Sequence, residues 1–148
     1  MKYLSLIFGL LLILPSCSEE HKSKHIDSDK SSYLDYSNRD DVVSGGVKMI
    51  PIQTSAGTFN VWTKRIGNNP TMKVLLLHGG PGATHEYFEG FDSYFPNAEI
   101  EYYYYDQLES AYSDQPNDSS LWSVDRYVDE IEQVRMALDL DSDNFYLL

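Results

Sequence analysis

A chain of 148 residues can close one domain around a core of its own, and a hydrophobic fraction of 42% excludes a fibrous or wholly disordered polypeptide. Its 11 basic and 23 acidic residues give a formal net charge of −12 with no basic cluster, which excludes nucleic acid as a partner. The acidity is read as a solubility feature, and the 12 tyrosines point to a ring-rich core or binding surface.

The chain opens MKYLSLIFGLLLILPSC: one lysine, an apolar run from Tyr3 to Pro15, then Ser16-Cys17. That run is shorter than the about 20 residues a bilayer span requires, and it fits the apolar region of a secretory signal peptide. Leu14-Pro15-Ser16-Cys17 resembles a bacterial lipobox, with proline in a place it does not commonly fill. The resemblance implies that residues 1–17 are a lipoprotein signal and that Cys17, the only cysteine, is acylated. Two or three acyl chains would anchor the protein stably to a membrane. A signal cut elsewhere, with Cys17 incidental, is the competing reading. The expected location is the cell envelope, lipid-anchored to a bacterial membrane and either periplasmic or surface-exposed.

Residues 18–41 are polar and charged and are expected to be a flexible tether. His21 and His25 stand four apart, as ligands on a helix would, but nothing apolar surrounds them to build a site. They are read as solvated. Glu19 and Glu20, two and three residues after the cysteine, resemble the surface-export signal of some Gram-negative lipoproteins.

From Val42 the pattern becomes that of a folded domain. VKMIPIQ (Val47 to Gln53) is rich in β-formers, and Pro51 directs it to a sheet edge. A turn at Thr54-Ser55-Ala56-Gly57 leads into TFNVWTK (Thr58 to Lys64), which completes a hairpin. Val74-Leu75-Leu76-Leu77 is the continuous apolar run of a strand buried on both faces. The rings of Tyr87, Phe88, Phe91, Tyr94 and Phe95 are spaced for one face of a short helix over 85–95. IEYYYY (Ile100 to Tyr105) is the next strand.

Ser123 is placed to cap a helix with an apolar stripe of Val124, Tyr127, Val128, Ile131, Val134 and Leu138. Asp129, Glu130, Glu132 and Gln133 are expected to face outwards from it. Asn144 to Leu148 (NFYLL) begins a further buried strand. A hairpin followed by βαβαβ specifies an α/β domain with a parallel sheet over 42–148.

In open α/β sheets ligands gather at the carboxyl ends of the strands, and His78-Gly79-Gly80-Pro81-Gly82 lies at one of them. Glycine admits positive φ and close approach to the bare peptide, while Pro81 stiffens the segment and removes one N–H. The remaining N–H groups can converge on the negative oxygen of a tetrahedral acyl intermediate. Two other readings stay open on the residues alone: a tight connection without a ligand, and a phosphate cradle. The cradle lacks both P-loop and G-x-G-x-x-G spacing.

LLLHGGPG followed by YYYDQLESAYSDQP resembles the prolyl iminopeptidases, serine peptidases of the α/β-hydrolase fold that remove N-terminal proline. The family's DQxGxGxS segment corresponds to Asp106-Gln107-Leu108-Glu109-Ser110-Ala111-Tyr112-Ser113. Asp106, Gln107 and Ser113 match it; Glu109 and Ala111 stand where glycines are usual. The resemblance covers 42–148 and implies that the Gly80 N–H is one of two oxyanion donors. Gly79, Pro81 and Gly82 would hold its geometry. Asp106, Gln107 and His78 are read as bracing the loops, and Tyr102 to Tyr105 as core and sheet surface rather than a ligand box.

In this fold the nucleophilic serine occupies a G-x-S-x-G turn directly after the strand that NFYLL begins, and the acid and histidine follow later. The sequence stops before that turn. Ser110 and Ser113 have no histidine at an argued distance and are not taken as nucleophiles. The chain is therefore expected to be the N-terminal portion of an α/β-hydrolase, inactive alone, with an apolar edge that favours aggregation. The protein implied is an anchored serine aminopeptidase acting on small peptides with N-terminal proline, with no metal or organic cofactor. Alternatives are an α/β-hydrolase for other amides or esters, and a non-catalytic lipid-anchored binding module.

Overall fold

Val47–Thr54 (β1) and Gly57–Ile66 (β2) fold back on each other about Ser55-Ala56, with Thr54 opposite Gly57 and Val47 opposite Lys64. Pro51 cannot donate to a ladder, and β1 accordingly forms one edge of the sheet. Lys73–Leu77 (β3), Glu101–Asp106 (β4) and Phe145–Leu147 (β5) complete it in the order β1-β2-β4-β3-β5. β2 meets β4 antiparallel, whereas β3 runs parallel to both β4 and β5. The ends of β3, β4 and β5 therefore point the same way, and the glycine loop emerges among them. This computed structural model describes residues 30–80 and 82–148; Cys17, His21, His25 and Pro81 lie outside the described residues.

Each face of the sheet carries one crossover. Helix α2 (Val124–Ala137; helix α1 is Lys30–Tyr33) packs Val134 and Leu138 over Ile50, Val61, Leu75, Tyr103 and Tyr105. On the other face Phe88, with Phe91 and Phe95, covers Trp62, Leu76, Tyr102 and Tyr104. The four tyrosines of β4 thus alternate between the two cores, and each hydroxyl finds a partner, as a buried phenol requires. Tyr102 and Tyr104 both donate to Asp92 Oδ1 at 2.6 Å. Tyr103 donates to Glu101, and Tyr105 to Glu130.

Three expectations need correction. The helix over 85–95 is instead a pair of 3₁₀ segments, His85–Ser93 and Phe95–Ala98. The tighter winding eclipses side chains three apart, and the Phe88 and Phe91 rings stack with centroids 5.9 Å apart. Glu130, expected outside, is buried on α2 beneath Tyr105, where it also receives the Leu108 N–H at 2.9 Å and the Arg126 guanidinium. Val124 and Val128 are the ones left exposed.

The tether also ends earlier than Asp41. Tyr33 is buried and donates to the Ile100 carbonyl at 3.1 Å. Arg39 reaches Glu101, which is wholly buried, and Asp41 meets Arg65 at 2.6 Å. Two buried charges on the sheet need partners, and residues 33–41 supply them as a docked strap.

Candidate functional site

β3 ends at Leu77, and His78 follows, almost completely buried. Its Nε2 accepts the Gln107 backbone N–H at 3.1 Å, and its carbonyl accepts Gln107 Nε2 at 3.0 Å. Nε2 must therefore carry a lone pair, so the proton sits on Nδ1, facing the Gly79 carbonyl at 3.5 Å. Burial pushes the His78 pKa below the ordinary histidine value, which favours this neutral acceptor.

Asp106, at the end of β4, has no exposed surface. It accepts the His85 backbone N–H and His85 Nδ1, each at 2.9 Å, and the Tyr112 N–H at 3.3 Å. A carboxylate buried here is stabilised by three donors. The His85 ring lies among aromatic rings, with centroids 4.5 Å from Trp62, 5.5 Å from Tyr104 and 5.6 Å from Tyr112. Two consecutive residues, the last of β4 and the one after it, thus hold both flanks of the glycine loop: Gln107 grips His78, and Asp106 grips His85. The sequence reading placed His85 only at a helix start. Its one signal was a histidine in an otherwise acidic and aromatic stretch.

Gly79, Gly80 and Gly82 are exposed between these anchors. Gly80 has φ +62°, a left-handed conformation that favours glycine. Gly79 has no such need: its φ is not positive, and a Cβ there would meet nothing within 4 Å. Among the described residues neither Gly79 nor Gly80 donates a backbone hydrogen bond. Leu148 N–H donates to Leu75 O at 3.1 Å and Leu77 N–H to Leu148 O at 2.7 Å, so the end of β5 runs beside the start of the loop.

The DQ segment keeps an unusual backbone. Glu109 has φ +75° and Ala111 φ +35°, the conformations glycine would supply at those two positions. Ser113 Oγ is occupied, donating to the Asp106 carbonyl at 2.5 Å and accepting the Trp62 N–H at 2.8 Å. Among the described residues Ser110 Oγ is buried without a partner, and no histidine bonds either serine. Among the described residues no three His, Cys, Asp or Glu side chains are grouped to hold a metal ion.

No family model matches the chain. It is 63% identical over 100 residues to a proline iminopeptidase of Flavobacterium johnsoniae and 66% identical over 99 residues to one of Chitinophaga pinensis. These matches cover 68% and 67% of this chain but 34% and 33% of the relatives, so the chain spans about a third of their length. The solved proline iminopeptidase of Mycobacterium smegmatis superposes with a TM-score of 0.56 at 21% identity, over 68% of this chain and 34% of that one. An esterase of Exiguobacterium antarcticum superposes with a TM-score of 0.55 at 24% identity, over 68% and 34% of the two chains. Over about two thirds of its length the chain is similar to the proline iminopeptidases, and its described residues carry the N-terminal portion of the α/β-hydrolase fold.

Proposed function

We propose that this chain supplies the oxyanion-binding part of a serine-type aminopeptidase that releases N-terminal proline from peptides. One observation carries the reading. Gly79 needs to be glycine for no reason within its own fold, and it lies next to Gly80, whose N–H is uncommitted, at the tip of a parallel strand. Close approach of a ligand atom to the bare backbone accounts for both.

In this reading a serine in the turn after β5 attacks the carbonyl carbon of the N-terminal proline. Electrons move onto the carbonyl oxygen, which the Gly80 N–H and a second backbone donor then stabilise. Collapse of the intermediate expels the shortened peptide as an amine that takes up the proton the serine gave up, and water later releases proline from the acyl-serine and returns a proton to it. The pairing of Leu77 with Leu148 supports this arrangement, since a turn following β5 would begin alongside the glycine loop. The high identity to proline iminopeptidases supports the substrate class.

The full-length protein would act in the cell envelope, held through acylated Cys17. Its membrane partition would be lost in a Cys17→Ser variant; complete retention in the membrane fraction would rule out a lipid anchor. Catalysis is tested with Gly80→Ala, assayed on a proline arylamide and on simple esters. The left-handed φ at 80 resists a Cβ, so the donor shifts, and kcat should fall by about 10²–10³ with a smaller change in KM. An unchanged kcat would refute the oxyanion role. In the parent protein, a kcat/KM for arylamides of other amino acids as high as that for the proline arylamide would refute the proline specificity.

A further inference from the structure

We infer that His85 is a positioning residue for the oxyanion loop, setting the direction of the Gly80 N–H through its double attachment to Asp106. The inference rests on the oxyanion reading above and extends it to a residue outside the glycine motif.

A loop meant to keep N–H groups free for a ligand cannot be secured by those groups. Its position must come from its flanks. The upstream flank is simple: His78 directly follows β3 and is gripped by Gln107, which directly follows neighbouring β4. The downstream flank has no strand to belong to, because the chain there turns into a 3₁₀ segment whose N-terminus has no side-chain cap. His85 supplies the attachment instead. Its backbone N–H and Nδ1 both end on Asp106, while Oδ2 of the same carboxylate receives Tyr112 N–H.

Two bonds from one residue to one carboxylate fix its orientation as well as its position. The ring cannot swing away, since Trp62, Tyr104 and Tyr112 surround it and the residue is 8% exposed. Asp106 is itself rigid, lying in β4 opposite Trp62 of β2. Gly80 is thus connected to the sheet by a short path: Gly80 carbonyl to Ala83 N–H at 3.3 Å, then along the chain to His85. Removing the Nδ1 donor leaves the backbone bond alone to hold this end. The loop's donors would then sample directions away from the reacting oxygen.

The test compares two variants of the full-length protein. His85→Phe keeps an aromatic ring but loses the side-chain donor; His85→Asn keeps a donor close to the place of Nδ1. On a proline arylamide, His85→Phe should lower kcat about 10- to 100-fold with KM within about twofold, and His85→Asn should recover most of kcat. The second readout is the amide signal of Gly80 in glycine-labelled protein, upon adding a proline-derived boronic acid that forms a tetrahedral adduct with the serine. The parent should show a large shift that His85→Phe loses and His85→Asn regains. A shift present in the parent and unchanged in His85→Phe would overturn the positioning role while leaving the oxyanion reading intact. No shift in the parent would overturn the oxyanion reading and this inference with it. A loss of activity in His85→Phe that only tracks its folded fraction, or an Asn variant as slow as the Phe variant, would overturn the positioning role as well.

Discussion

Ala111→Gly should stabilise this protein, against the usual direction of an alanine-to-glycine change. Ala111 sits at φ +35°, and an L-residue in the left-handed region costs about 1–2 kcal/mol relative to glycine. Against that gain stands the greater freedom of glycine in the unfolded chain, about 0.4–1 kcal/mol. The Ala111 side chain is exposed, and its carbonyl, which accepts Gln115 Nε2 at 3.2 Å, survives the substitution. The balance is a gain of about 0.5 kcal/mol, a rise in Tm of about 1–2 °C for a protein of this size class. Glu109→Gly is the matched comparison. It relieves φ +75° but loses the acceptor of the Asp118 N–H at 3.2 Å, a bond worth about 0.5–1.5 kcal/mol, so it should be close to neutral. Thermal unfolding of the full-length protein and both variants decides the matter. A loss of about 0.5–1 kcal/mol in Ala111→Gly, the ordinary cost at a regular site, would show that the backbone at 111 is not left-handed.

The folded state lowers the His78 pKa by burial, so the stability tied to neutral His78 is full above its unfolded value of about 6.5 and is lost as pH falls through the folded value. The protection factor of the Gln107 amide, which donates to His78 Nε2, should therefore drop as His78 becomes protonated; protection that stays unchanged once the imidazole signals show protonation would contradict Nε2 as the acceptor. Glu130→Ala should cost about 3–5 kcal/mol by denaturant unfolding, since it strands the Arg126 guanidinium, the Tyr105 hydroxyl and the Leu108 N–H together. Glu130→Gln keeps an acceptor and the volume and should cost clearly less; equal losses would mean that the negative charge facing Arg126, rather than the acceptor oxygen or the volume, carries the effect.

The strands and the order of elements were legible because Val74 to Leu77 and Tyr102 to Tyr105 carry runs that only a buried strand satisfies. Pro51 disclosed an edge by the same logic. What escaped was the set of contacts made by charged residues. Glu130 lies one position from the apolar stripe of α2, and a charge there is outward by default unless its partners are known. Those partners, Tyr105 and Leu108, are 25 and 22 residues away in sequence. The strap hid for the same reason: Arg39 and Asp41 look like solvated tether until Glu101 and Arg65 are seen to need them. At the candidate site the motif marked the glycines, but the residue gripping the loop's far end, His85, belongs to no recognisable spacing.

The positive φ angles of Glu109 and Ala111 connect these observations. Asp106 can face His85 and Tyr112 together only if the chain after β4 doubles back at once, and the bonds from Ser110 N to Gln107 O and from Ser113 N to Ser110 O are that reversal. Left-handed residues at 109 and 111 are the local cost of it. The cost is retained although neither residue is glycine, which argues that the compact turn is needed for the carboxylate it orients. Strain in one loop is thus offset by order in the other: β4 ends in a tight turn so that the glycine loop can remain fixed without spending its own N–H groups.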